Sequence, residues 1–181
     1  IAYKNIGLTD LSLQYLKMAE DNYIKNFGSN YIGTARVYTN IGNVFRAKLN
    51  YNEALRYYEQ VKRIYTTQED IDYNSVAIAN YSISEMYFLM FDYKNARDIL
   101  LENIKFADSF NKLNYYDLLG AVYQELKEYR NASDSYIKAI NLSKEILPQD
   151  DIYIGILYLN YAFFLLQAGN INEVPEILNK A

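Results

Sequence analysis

Residues 38–65 read YTNIGNVFRAKLNYNEALRYYEQVKRIY. Two small residues, Gly42 and Ala54, stand twelve positions apart among large ones: Tyr38, Ile41 and Phe45 near the first, Tyr58 and Val61 after the second. Apolar residues three and four apart mark one face of a helix. The stretch holds two such faces, separated by the polar run KLNYN. Helix axes can approach closely only where the contacting side chains are small. The stretch is therefore expected to form a helix, a short turn and a second helix, touching at Gly42 and Ala54.

The pattern recurs. Aligned on the small residue of the second helix, NYNEAL at Ala54 is matched by DYKNAR at Ala96 and EYRNAS at Ala132. Weaker copies are LTDLSL at Ser12 and NINEVP at Val174, so the anchors fall at 12, 54, 96, 132 and 174, spaced 42, 42, 36 and 42. Twelve residues before the last four lie Gly42, Ser84, Gly120 and Ala162. Each of these has a large residue just before it (Ile41, Ile83, Leu119, Tyr161) and another three after (Phe45, Tyr87, Tyr123, Leu165). Regular spacing of this kind signals a repeat architecture. The turns are expected at KLNYN, MFDYK, LKEYR and QAGNIN, with a further one at Gly7, where Gly169 stands in the last copy.

Composition narrows the function. The chain has 181 residues, 51% of them apolar and 22% charged, enough for a packed core. It carries a net charge of −4, which disfavours nucleic acid and anionic membrane as partners. It has neither Cys nor His. Disulfides, thiolate metal sites and catalysis by a Ser–His or Cys–His pair are excluded within it. No catalytic residue, cofactor or metal site is expected, and the chain is read as a non-enzyme. No signal-peptide pattern is seen in residues 1–20, and the longest apolar run, 152–166, contains Gly155 and Asn160 and is too short to span a bilayer. These features point to a cytoplasmic location. The acidic clusters Glu69-Asp70-Asp72 and Asp150-Asp151 lack the glycine and alternating oxygen ligands of a calcium loop, and are expected to cap the helices that follow. Three N-x-[ST] sequons occur, at Asn80, Asn131 and Asn141, and Asn80 falls on a packing position.

The units Tyr38, Ile41, Gly42, Phe45, Ala54, Tyr58, Val61 and Tyr116, Leu119, Gly120, Tyr123, Ala132, Tyr136, Ala139 resemble the tetratricopeptide repeat, whose pattern runs W-x2-L-G-x2-Y then A-x3-F-x2-A. The resemblance implies an all-α fold, a right-handed α-α superhelix of about four to five helix-turn-helix units. It covers the chain as one array, residues 1–181, with units at 1–27 (partial), 28–68, 69–110, 111–147 and 148–181 (partial), expected to be a piece of a longer protein. The period of 42 exceeds the family's 34, as in the long repeats of kinesin light chains and of bacterial signalling proteins. The family's usual proline at the repeat end is missing from the strong units; only Pro148 and Pro175 occur.

What the resemblance implies for function is recognition of a protein or peptide, with signalling or scaffolding as the setting. The inner face would be lined by first-helix positions outside the packing stripe. These are Arg36, Thr39, Asn40, Asn43 and Arg46, then Ile78, Tyr81, Ser82, Glu85 and Phe88, then Asn114, Asp117, Ala121 and Gln124, and last Leu159, Asn160, Phe163 and Leu166. An acidic or extended segment would have its backbone held by Asn40, Asn43 and Asn160, its acidic groups by Arg36 and Arg46, and its apolar groups by Phe88, Phe163 and Leu166. The clamp of basic residues used by some family members for chaperone tails is not matched, since Asn114, Asp117 and Leu118 stand where basic groups are needed. Two other settings are open: the sensor domain of a bacterial peptide-pheromone regulator, and the regulatory arm of a caspase-like CHAT protease. Exposed Leu165 and Leu178 are expected to favour self-association through uncapped ends.

Overall fold

A computed structural model describes the backbone from residue 2 onward and the side chains from residue 9 onward. Among the described residues all regular structure is helical. The helices are α1 (Ala2–Phe27), α2 (Ile32–Ala47), α3 (Tyr51–Thr66), α4 (Tyr73–Leu89), α5 (Tyr93–Asn103), α6 (Ser109–Glu125), α7 (Tyr129–Ile146), α8 (Ile152–Ala168) and α9 (Val174–Leu178). Short 3-10 turns follow α5 (Ile104–Phe106) and precede α9 (Ile171–Glu173). The chain divides into two compact units, residues 1–90 and 91–181.

In the first unit α2 packs on α1 and α3, and α3 on α4. Its core is Ala35, Val37, Tyr38, Ile41, Tyr57, Val61, Ile64 and Ala79. In the second, α6 packs on α5 and α7, and α8 on α7 and α9. Its core is built around Tyr136, Ile140, Leu157, Tyr161, Phe164 and Leu165. Both units use glycine in the same way. A Cβ on Gly42 would lie 2.7 Å from Cε1 of Tyr58, and one on Gly120 would lie 2.7 Å from Cδ1 and Cε1 of Tyr136. The glycines are therefore seats for the aromatic ring of the paired helix, four residues after the Ala54 and Ala132 anchors, both of which are fully buried.

The hairpin turns share a geometry that their sequences hide. Leu49, Phe91, Lys127 and Gly169 all have positive φ, at 59°, 63°, 63° and 84°. In the first turn the Leu49 N–H donates to the Arg46 carbonyl and the Asn50 N–H to the Phe45 carbonyl, the bonds of a Schellman C-cap. The residue after the left-handed one then starts the next helix: Asn50 and Asp92 accept from the backbone N–H of Glu53 and Asn95. Between hairpins, Asp72, Asp108 and Asp151 cap α4, α6 and α8 through their side chains. Asp72 and Asp151 thus have the capping role expected of the two acidic clusters.

The ends differ from expectation. No turn forms at Gly7, because α1 is continuous from Ala2 to Phe27. A single glycine costs a helix only about 1 kcal/mol, and no Asn or Asp follows at once to cap a second helix, as Asn50 and Asp92 do after their turns. At the other end α9 stops at Leu178, short of Ala181. Leu165, expected to be exposed, is 1% exposed within the second core, whereas Leu178 is 47% exposed as expected. Asn80 is fully buried, in line with its packing position.

Candidate functional site

Helix α2 presents Arg36, Asn40, Asn43 and Arg46 as exposed residues, as its periodicity requires once Tyr38, Ile41 and Gly42 face the core. The four do not behave alike. Arg46 is tied to α4: its Nη1 donates to both carboxylate oxygens of Glu85, at 2.6 and 2.8 Å. The two residues expected to meet a ligand thus meet each other. Asn43 is tied to α3, since the Tyr58 hydroxyl donates to its Oδ1 at 2.7 Å. Tyr58 lies under Gly42 and is itself buried, which pushes its phenol up to about 12; the Arg46 charge opposes that shift and Glu85 adds to it. Asn43 and Arg46 therefore serve the packing of this unit, contrary to the reading of all four as spare.

Arg36 and Asn40 are different. Arg36 has no ion-pair partner among the described residues. It stands at the edge of a cavity of about 210 Å³ between α2, α3 and α4. Tyr58, Val61, Tyr65, Ile78 and Ala79 supply the walls, and the hydroxyls of Thr39, Ser75 and Ser82 lie among them. Each hydroxyl already donates within the protein: Thr39 to the Ala35 carbonyl, Ser82 to the Ile78 carbonyl, and Ser75 to the Asp72 carboxylate. They are left as hydrogen-bond acceptors. The cavity thus offers a guanidinium for anions, oxygen acceptors for N–H groups and an aromatic–aliphatic wall. Ser75 escaped the sequence reading because it belongs to the first turn of α4, ahead of the Ile78 where the repeat positions were counted. Tyr81 and Phe88, the other expected contacts on α4, are half-buried.

In the second unit the equivalent positions are closed off. Asn114, Asp117 and Gln124 on α6 each bond a partner on α8. The Tyr153 hydroxyl donates to Asn114 Oδ1 at 2.7 Å. Asn160 Nδ2 donates to the Asp117 carboxylate at 3.1 and 3.2 Å. Gln124 Nε2 donates to Gln167 Oε1 at 2.9 Å. Gln124 is buried rather than groove-lining, and it also accepts from the Tyr136 hydroxyl. Burial raises the Asp117 carboxyl above its usual range, while the Asn160 bond works against that. Asn160, expected to read a ligand backbone as Asn40 would, is thus engaged within its own unit. Burial likewise pushes Tyr153 up to about 12. Phe163 remains well exposed on the same helix.

Comparison with known proteins fits this architecture. Two family models described as tetratricopeptide repeat match residues 1–67 and 113–146, together more than half of the chain. No curated protein sequence matches. Among solved structures, a Podosopora anserina protein assigned as a kinesin light chain, with nearly identical TPR-like repeats, is 15% identical with a TM-score of 0.77, over 99% of this chain and 88% of that one. The apo form of RapI is 14% identical with a TM-score of 0.82, over 95% of this chain and 62% of that one. MamA is 18% identical with a TM-score of 0.66, over 99% of this chain and 90% of that one. At such identities the likeness is one of fold. No helix among the described residues is long and apolar enough to cross a membrane. With paired helices seated on Gly42 and Gly120, recurrent turns and these matches, the chain belongs to the tetratricopeptide repeat family, an all-α solenoid fold consistent with a protein-binding scaffold.

Proposed function

We propose that the chain is a non-catalytic recognition module, and that its first unit holds an acidic, extended segment of a protein against α2 and α4. The observation that carries this reading is Arg36, an exposed cation without an acidic partner among the described residues, beside an apolar cavity lined with hydroxyl acceptors. A carboxylate of the segment meets Arg36. Asn40, one turn further along α2, offers its amide to the segment's backbone. An apolar side chain enters between Tyr58, Val61 and Ile78. At about 210 Å³ the cavity is below the roughly 300–1,000 Å³ usual for small-molecule sites, so it suits one side chain of a longer ligand. The absence of His and Cys from the chain agrees with recognition rather than chemistry.

The test is a set of synthetic peptides about a dozen residues long, combining Asp or Glu with Leu or Phe, measured by fluorescence anisotropy. Arg36→Glu is expected to weaken the peptides that bind by about 1.5–3 kcal/mol, the scale of a hydrogen bond to a charged group. Asn40→Ala is expected to weaken them regardless of side chains. If acidic peptides bind parent and both variants alike, the first unit's inner face is not the site.

A further inference from the structure

Three residues after the repeat anchors stand Tyr15, Tyr57, Ile99, Ser135 and Ile177, a large side chain in every copy but one. The first unit shows what that side chain does. The Tyr57 ring is 1% exposed and lies against Tyr38 and Phe45 of α2, at 5.5 and 5.7 Å between centroids. Lys17 of α1 lies over its face, 4.8 Å from the centroid. The ring thus fills the space where α1, α2 and α3 meet.

The second unit has the same walls without the ring. Tyr116 and Tyr123 of α6 hold the repeat positions of Tyr38 and Phe45, and Leu101 of α5 holds that of Lys17. Ser135 of α7 stands in the place of Tyr57, and its side chain stops at a hydroxyl. These four residues line a cavity of about 280 Å³. Protein interiors leave few voids larger than a water molecule, so a hollow at a position filled elsewhere in the chain is particular to this unit. Leu101 is 47% exposed, and Asp134 and Lys138, which also line the cavity, are exposed, so it is open to solvent. None of the α6 residues expected on the inner face lines it. At its buried wall the Ser135 Oγ donates to the Asn131 carbonyl at 2.8 Å, which leaves that oxygen as an acceptor.

We infer that the cavity between α5, α6 and α7 binds a tyrosine side chain of a partner protein, entering hydroxyl first. The ring lies against Tyr116 and Tyr123 as the Tyr57 ring lies against Tyr38 and Phe45, and its hydroxyl donates to Ser135 Oγ. The cavity is smaller than the roughly 300–1,000 Å³ usual for small-molecule sites, which suits one side chain of a larger ligand. Asp134 and Lys138 at the rim place one charge of each sign beside the residues that flank the tyrosine. This site lies in the second unit and does not depend on the peptide site proposed for α2.

The probes are short synthetic peptides, Gly-Ser-Lys-Tyr-Glu-Ser-Gly and its versions with Phe or Ala in place of the tyrosine, together with p-cresol as the bare side chain. Each is titrated into the isotope-labelled chain and followed by amide NMR shifts. The tyrosine peptide is expected to move the amides of Leu101, Tyr116 and Ser135 saturably, more tightly than the Phe peptide, with the Ala peptide weaker by about tenfold or more, the scale of one buried aromatic side chain. Ser135→Ala is expected to erase the preference for Tyr over Phe. Ser135→Phe is expected to refill the hollow from within, raising Tm and blocking the peptide. Leu101→Asp, at an exposed wall position, is expected to leave circular dichroism unchanged and to weaken binding about tenfold, whereas Arg36→Glu should leave it intact. Equal shifts from the Tyr and Ala peptides, or binding indifferent to Leu101→Asp, would overturn the inference. A Ser135→Phe protein that melts below its parent would overturn the equivalence with Tyr57 on which it rests. Saturable binding of p-cresol with none of the tyrosine peptide would assign the cavity to free phenols instead.

Discussion

Replacing Gly120 by alanine sets two known effects against each other. In a helix interior the change is favourable by about 1 kcal/mol, because glycine loses more backbone freedom on folding. The new methyl, however, would sit 2.7, 2.7 and 2.8 Å from Cδ1, Cε1 and Cζ of Tyr136. These are the body of a buried ring, not the end of a mobile chain. The ring is hemmed in by Tyr161 and Phe164, at 6.1 and 5.5 Å between centroids, and its hydroxyl donates to Gln124. It cannot move by the several tenths of an ångström required without disturbing that core. Overpacking typically costs about 1–3 kcal/mol, and contact with three ring atoms places this case toward the upper end. The net expectation is a loss of about 1–2 kcal/mol for Gly120→Ala, and more for Gly120→Leu. Since 1 kcal/mol corresponds to roughly 2–4 °C in a protein of this size, Tm should fall by about 2–8 °C. Tyr136→Leu in the same chain removes the flat ring, so the double variant should lose less than the sum of the singles. Thermal melts and urea titrations of the four proteins measure this. A Gly120→Ala protein as stable as its parent, or more so, would refute the view that the glycine is there to seat the ring.

The left-handed turn residues invite the opposite change: Leu49→Gly and Lys127→Gly relieve a conformation that costs an L-residue about 1–2 kcal/mol, so each is expected to raise Tm in a thermal melt, Leu49 having little packing to lose because it is largely exposed. Alkaline stability should depend on Tyr58: its folded pKa of about 12 lies above the ordinary value of 10.0, so the fold retains a proton that the unfolded chain releases. The stabilisation from Tyr58 is full below pH 10 and is lost between pH 10 and 12, amounting to the order of 2–3 kcal/mol, and Tyr58→Phe should make that part of the urea-midpoint profile shallower, leaving the share that the other buried tyrosines, Tyr153 among them, contribute. Asp72→Ala should cost about 1 kcal/mol by uncapping α4. Hydrogen bonds from Ser75 hold the Asp72 carboxyl below its usual value, so the parent's advantage over this variant, read in melts at a series of pH values, should be present above about pH 4 and fade as pH falls further.

The paired helices were legible in the sequence because a helix buries one face, and that requirement writes apolar residues at intervals of three and four. The contact points were legible for the same reason: only a small residue at Gly42 or Gly120 admits the ring of Tyr58 or Tyr136. The turns were located, but their left-handed residue was not, since Leu49, Phe91 and Lys127 carry none of glycine's conformational preference. The closing bonds of the hairpin and the packing beneath it impose that conformation. Gly7 shows the converse, a glycine that resembles Gly169 but lies within a helix because nothing beside it starts a new one.

The candidate site was half visible. Periodicity alone put Arg36, Asn40, Asn43 and Arg46 on one exposed side of α2. Which of them are spent on the fold depended on residues 15 and 39 positions away, Tyr58 and Glu85. The same holds for Asn160, whose partner Asp117 is 43 positions away on another helix. A pattern within one helix records which side chains face outward, since that follows from 100° per residue. It carries no record of the distance to the neighbouring helix or of what stands on it. Tertiary packing sets both, and so it was the packing that closed the polar row between α6 and α8 and left the cavity beside Arg36 open.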